Sequence, residues 1–220
     1  MEYLNSYIEH TNLKPDATHQ DIIRLCEEAV EHKFYGVCVS PYHVQLAKKT
    51  IKKAPVKIIT VVGFPFGYNT VASKVEETKK AIIGGADEVD VVMNIAAFKS
   101  GDDATVLNDL QAVIMACHLQ NKLAKVIIET ALLTKTEIEK ACRLCVDSEA
   151  DFVKTSTGFA SSGAKVEDIE LMRKILPAKV KIKAAGGIKD HEIAVAMVNA
   201  GATRLGTSAS LAITGVEQTV

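Results

Sequence analysis

Apolar runs of strand length alternate along this chain with segments of helical period. The runs FYGVCVS, VKIITVVGF, DEVDVVMN, AKVIIET, DFVKTS, VKIKAAG and TRLGTS are rich in Val and Ile, as strands buried on both faces are. Between them, Ile22, Leu25, Cys26, Ala29 and Val30 form one helical stripe, and Val106, Leu110, Val113, Ile114 and Cys117 form another. Thr134 and Glu137 make a capping box that opens a further helix. YIEHT (Tyr7 to Thr11), just ahead of the first helix, reads as an eighth strand. A weak repeat, GGADEVDVV, SEADFVKT and AGATRLGT, ends a helix in small residues and starts a strand each time. Alternating βα units joined in this way imply a parallel sheet. Eight of them in 220 residues predict an α/β fold, a single-domain (β/α)8 TIM barrel over residues 1–220. A doubly wound open sheet is the alternative. It needs a topological switch point, and no Gly-x-Gly-x-x-Gly turn marks a nucleotide site.

Against this apolar pattern, several charges fall where a strand should be greasy. Lys154 follows Phe152 and Val153, Lys183 sits between Ile182 and Ala184, and Asp90 interrupts EVDVVMN. Lysine is almost never buried unless it is paired or useful. In a barrel, catalytic groups come from the C-terminal ends of several strands. Glu9 would then lie on strand 1, Asp90 on strand 4, Lys154 on strand 6 and Lys183 on strand 7. Alternation turns Val153 and Ile182 towards the helices and both lysines into the barrel. A lone lysine of this kind reads as solvated or salt-bridged. Asp90 and Lys183 could also form a purely structural ion pair, but such pairs stabilise little.

Composition narrows the partners more than the chemistry. Hydrophobic residues make up 48% and charged residues 24%, with 26 basic against 27 acidic side chains. No field of one sign points to nucleic acid or an anionic membrane, and the run KKTIKK reads as a solvated helix face. No apolar run approaches the roughly 20 residues that span a bilayer. The opening MEYLNSYIEH lacks the layout of a signal peptide, so a cytoplasmic location is expected. Five cysteines show no disulfide-like spacing. The pair in CRLC, Cys142 and Cys145, shares the stripe Ile138, Ala141, Cys142, Cys145 and reads as core. The six histidines are dispersed, so neither a metal nor an organic cofactor is expected.

A lysine attacks a carbonyl to form an imine only after its ammonium loses a proton. From an unperturbed pKa of about 10.4, reaching roughly 7 requires some 4–5 kcal/mol. A second ammonium about 5 Å away supplies roughly 3 kcal/mol at an effective dielectric near 20, and partial burial acts in the same direction. Two lysines on adjacent strands are therefore a sufficient device. A carboxylate must then move protons between imine and enamine, and Asp90 is the candidate, acting through a water or a substrate hydroxyl. Glycine-rich turns follow the last two strands, AAGGIK (Gly186, Gly187) and RLGTSAS (Gly206, Thr207, Ser208). In such barrels that location often binds phosphate. TSTG (Thr155 to Gly158) offers further hydroxyl and N–H donors.

From Tyr7 to Leu211 the chain resembles the metal-independent, Schiff-base deoxyribose-phosphate aldolase family. DFVKTSTGF carries the resemblance, and EVDVVMNIAAFKSG, VIIET, KAAGGI and GFPFG support it in the right order. The resemblance implies reversible cleavage of 2-deoxy-D-ribose 5-phosphate to D-glyceraldehyde 3-phosphate and acetaldehyde, in the salvage of deoxynucleoside sugars. By similarity Lys154 forms the imine, Asp90 shuttles protons, and Lys183 tunes Lys154 and joins the relay. Gly158, Gly186, Gly187, Gly206 and Ser208 match phosphate-holding positions, with Glu9 and Thr155 supporting. A homodimer is implied as well.

The chain departs from the family at three places. Glu9 stands where Asp is usual, Ala96 where Gly is usual, and the end GVEQTV lacks the terminal tyrosine of many members. Cys38 in GVCVS reads as a small core residue near the mouth of strand 2, with reaction towards unsaturated aldehydes as the sharper expectation. The rival readings are another imine-forming enzyme, sugar-phosphate aldolase or transaldolase-like, and a non-catalytic barrel that binds sugar phosphates.

Overall fold

A computed structural model describes residues 2–215, so the C-terminal expectation lies outside the described residues. Eight strands form the sheet: β1 (Ile8–Asn12), β2 (Gly36–Val39), β3 (Lys57–Val62), β4 (Glu88–Val92), β5 (Leu123–Ile127), β6 (Phe152–Lys154), β7 (Lys181–Ala185) and β8 (Arg204–Thr207). Each runs parallel to the next, and β8 pairs back onto β1, closing a barrel. The run YIEHT is the eighth strand, starting one residue later than its spacing predicts. Outside the barrel lie α1 (His19–Glu31), α2 (Val44–Ile51), α3 (Val71–Gly84), α4 (Ile95–Lys99), α5 (Asp103–His118), α6 (Lys135–Asp147), α7 (Val166–Ile175), α8 (His191–Asn199) and α9 (Ser210–Thr214).

The helices form where the apolar stripes and caps place them. Thr134 and Glu137 bond reciprocally at the start of α6, and Thr18 with Asp21 do the same for α1, each pair satisfying backbone donors that a helix start leaves free. All five stripe residues of α5 are buried. On α1 the stripe holds for Ile22, Leu25, Cys26 and Ala29, but Val30 is 39% exposed. It lies one residue from the helix end, at the edge of the stripe, where the period still reads apolar but no neighbour covers it. Cys142 and Cys145 are buried on the inner face of α6, as the stripe implies.

The main core fills the layer between sheet and helices, and it takes Val153 and Ile182. The barrel interior is different on its two sides. Towards β2 and β3 it is apolar, with Cys38, Ile59 and Val61 forming a separate buried cluster packed by Leu13 and Phe64. Towards β4 to β8 and β1 it is ionic. Glu9, Glu88, Asp90, Lys125, Lys154 and Lys183 are all buried there. Gly206 makes room for one of them, since a β-carbon at that position would lie 3.0 Å from the Lys183 Cε.

Candidate active site

Asp90, on the inward face of β4, is where three cations converge. Its Oδ1 accepts from the Lys125 ammonium at 2.9 Å, and its Oδ2 accepts from Lys154 at 2.9 Å and Lys183 at 2.6 Å. The sheet register sets this up, because Asp90 pairs with Lys125 across β4 and β5, and Lys154 pairs with Lys183 across β6 and β7. Lys183 also donates to Glu9, Lys125 lies 3.5 Å from the other Glu9 oxygen, and Glu88 lies 2.6 Å from Lys125. Three ammonium groups therefore face three carboxylates, Glu9, Glu88 and Asp90.

The electrostatics follow from that balance. Burial alone would push the Asp90 carboxyl up, but Lys125, Lys154 and Lys183 outweigh it and hold it well below the usual carboxylate range. Burial would likewise lower Lys183, yet Asp90 and Glu9 raise it above the ordinary lysine value. Lys125 is raised further, with Asp90, Glu9 and Glu88 overcoming its own burial. Lys183 and Lys125 are thus ammonium groups across the physiological range, and Asp90 is a carboxylate. Cys38 is fully buried beside the cluster, and burial pushes its thiol up.

A cavity of about 480 Å³ opens at the C-terminal mouth of the barrel. Among the described residues, Lys154 is the one member of the lysine trio that lines it, at 2% exposure. Gly158, Gly186, Gly187, Gly206 and Ser208 line the same cavity. Gly186 and Gly187 both have φ near +80° (83° and 76°), a turn that only glycine adopts without strain.

The supporting residues divide. Thr155 faces away from the cavity, its hydroxyl donating to the Ala185 carbonyl and accepting from the Ala185 N–H at 3.1 Å. These bonds tie β6 to β7. In the same turn Thr157 reaches the cavity wall, held by Glu129, which accepts from both its N–H (3.2 Å) and its hydroxyl. Ala96 sits inside the short α4.

Several residues here escape the sequence reading. Lys125 and Glu88 each sit at or near the start of a strand, where a charge looks solvated, and only the barrel register turns them inward. His10, in the cavity wall, bonds Glu28 and Ser210 at 2.8 Å each. Burial lowers its pKa despite Glu28. The two bonds tie β1 to α1 through Glu28 and to the start of α9 through Ser210. Glu129, at φ 53°, stands in the VIIET motif, but nothing in the sequence points to its bond with Thr157.

The fold and the sequence as a whole have close counterparts. The family model described as DeoC/LacD family aldolase matches residues 6–216. A deoxyribose-phosphate aldolase of Thermococcus gammatolerans is 52% identical over 209 residues, covering 94% of this chain and 93% of that protein. Among solved structures, QR15, described as an aldolase, superposes with a TM-score of 0.93 at 40% identity, covering 98% of this chain and 96% of that one. A deoxyribose phosphate aldolase from Aeropyrum pernix, described as a unique tetramer, superposes with a TM-score of 0.91 at 29% identity, covering 97% and 90%.

Proposed function

The chain belongs to the DeoC/LacD family of aldolases, and we propose that it cleaves 2-deoxy-D-ribose 5-phosphate reversibly through an imine on Lys154. One observation carries the choice of lysine. Lys154 alone of the trio sharing the Asp90 network meets the cavity that Gly186, Gly187, Gly206 and Ser208 also line. Lys183 and Lys125 lie beneath it and keep their protons.

The Lys154 amine adds to the C1 aldehyde of the open sugar, and loss of water leaves a protonated imine. Solvent entering the cavity supplies the proton for the departing hydroxyl, while the raised Lys183 ammonium keeps its own. As the 3-hydroxyl gives its proton through a water to the Asp90 carboxylate, the C2–C3 bond breaks, its electron pair forms the C1–C2 double bond, and the imine nitrogen takes up the displaced pair. C3 leaves as the aldehyde of D-glyceraldehyde 3-phosphate. Collapse to the enamine cancels the positive charge facing Asp90. That carboxylate thus loses one of three partner cations in the step that needs a proton acceptor. Protonation of C2 and hydrolysis release acetaldehyde.

The phosphate is assigned to the Gly186–Gly187 turn with Gly158, Gly206 and Ser208. A cytoplasmic role in deoxynucleoside sugar catabolism fits the substrate, and no helix among the described residues is long and apolar enough to cross a membrane. A homodimer is the proposed assembly, to be decided by light scattering. For the reaction, borohydride reduction in the presence of acetaldehyde should add about 28 Da, the ethyl group of the reduced imine, and peptide mapping should find it on Lys154. An adduct on Lys183 reverses the two roles. No adduct, with sugar-phosphate binding intact, points to a non-catalytic barrel.

A further inference from the structure

The ion network does not stop at Asp90 but continues to the opposite, closed end of the barrel. Glu88 lies two residues before Asp90 on the same inward face of β4. One of its oxygens lies 2.6 Å from the Lys125 ammonium, and the other accepts from the Tyr35 hydroxyl. The Arg204 guanidinium stacks 3.5 Å above the Tyr35 ring, and its Nε lies 3.9 Å from Glu9. Phe152 lies beneath both Lys125 (5.8 Å) and Arg204 (5.6 Å). Glu88 is 2% exposed and far from the cavity wall, so nothing in the reaction requires a carboxylate there.

A buried carboxylate is costly unless it is paired and serves a purpose. We propose that Glu88 is a positioning residue which, through Lys125, sets the charge balance of the Asp90 cluster and so the pH range in which Lys154 reacts. The inference rests on Lys154 being the imine-forming residue. Seven of the eight strands bear on this balance. β1 brings Glu9, β2 Cys38, β4 Glu88 and Asp90, β5 Lys125, β6 Lys154, β7 Lys183 and, 5.6 Å over the Phe152 ring, Lys181, and β8 Arg204, with Tyr35 just ahead of β2. β3 brings only the apolar Ile59 and Val61. With Glu88 present, the trio of ammonium groups meets an equal number of carboxylates. Without it the cluster, which also holds the Arg204 guanidinium, gains one uncompensated positive charge, which disfavours a third ammonium. Lys125 keeps its proton because Asp90 and Glu9 remain beside it. The Tyr35 hydroxyl stays protonated, burial and Glu88 both raising it, so it donates to Glu88 and leaves the carboxylate charged.

The test is the pH dependence of imine formation, read as the rate of borohydride-trapped acetaldehyde adduct on Lys154. Glu88→Gln keeps the shape and removes the charge, and its acid limb should move down by about one pH unit, the shift expected of one charge at this range. Glu88→Asp, which keeps the charge, should return most of the way to the parent profile. Arg204→Gln removes a cation from the same end and should move the limb in the opposite direction. Unmoved limbs in Glu88→Gln and Arg204→Gln, or a shift of the same sign in both, overturn the inference. If Glu88→Gln does not fold, Arg204→Gln decides alone, with an upward shift supporting the inference and an unmoved limb overturning it. An adduct absent from Lys154 in the parent enzyme would instead overturn the proposed function itself.

Discussion

At Asp90 one carboxylate answers three ammonium groups, and replacing it with a neutral side chain does more than remove a base. Asp90→Asn leaves Lys125, Lys154 and Lys183 facing an amide, with Glu9 and Glu88 as the remaining anions. Loss of the proton acceptor is expected to lower kcat by about 10²–10⁴-fold. The broken buried network should cost about 3–5 kcal/mol of stability. Chemical denaturation of the variant beside steady-state kinetics separates the two losses, and a variant with parent-like kcat would remove Asp90 from the reaction. Cys38 leads to a prediction of the opposite kind. Burial keeps its thiol neutral, and the thiolate is the reactive form. Native protein at pH 7 should therefore label at Cys38 with iodoacetamide at least tenfold more slowly than the unfolded chain. Equal rates would show the site open to small electrophiles. The sequence displays Lys154, Lys183 and Asp90 because each interrupts an apolar run. It hides Lys125 and Glu88, because a charge within two residues of a strand start looks like an ordinary solvated end.

Among the elements, the turn after β7 depends on a neighbour that its own sequence does not name. Gly163, in the segment following β6, passes so close that a β-carbon there would lie 2.1 Å from the Gly186 carbonyl oxygen. The next residue, Ala164, donates its N–H to the Ala185 and Gly186 carbonyls at 3.1 and 3.0 Å. Gly163→Ala must therefore push the Gly186–Gly187 turn outward. A displacement of this kind, on the order of 1 Å, can cost about 10²-fold in a positioned reaction. The expected signature is selective: kcat/KM for the sugar phosphate falls by one to two orders of magnitude, while acetaldehyde trapping on Lys154 proceeds nearly as in the parent. Equal loss of both would mean that the substitution disturbs β6 rather than the phosphate end. Helix caps and stripes were legible because their partners lie three or four residues away. The approach of Gly163 to Gly186, the clamp of Glu129 on Thr157 and the turn of Thr155 away from the cavity were not, because each depends on which strands the barrel makes neighbours.

For the whole molecule, buried ionisable groups set the limits of stability with pH. The repeated βα unit made the barrel itself readable, but only its closure shows how many titratable groups it encloses. Burial pushes the thiols of Cys26, Cys117 and Cys142 up to about 12. A thiol in the unfolded chain ionises near pH 8.5 while these stay neutral in the fold. The stability they contribute is thus complete below about pH 8.5 and is lost as pH rises towards their folded values, at about 1.4 kcal/mol per pH unit for each thiol. Lys125 and Lys183, also raised, add to this loss above about pH 10.4. On the acid side the depressed Asp90 contributes stability that is present above about pH 3.9 and lost as pH falls through its folded value. Unfolding free energy should therefore be nearly level between about pH 6.5 and 8, decline below about pH 6.5, where the unfolded chain protonates histidines such as His10 that the fold holds neutral, and fall steeply above about pH 9. Cys117→Ala offers the cleanest check, because its lost packing lowers stability by the same amount at every pH. Its titrating thiol acts on the slope instead. Between about pH 9.5 and 11 the variant's urea-derived stability should decline less steeply than the parent's, by about 1.4 kcal/mol per pH unit. Parallel declines would mean that Cys117 ionises in the fold as readily as in the unfolded chain, and that burial at this position does not protect it.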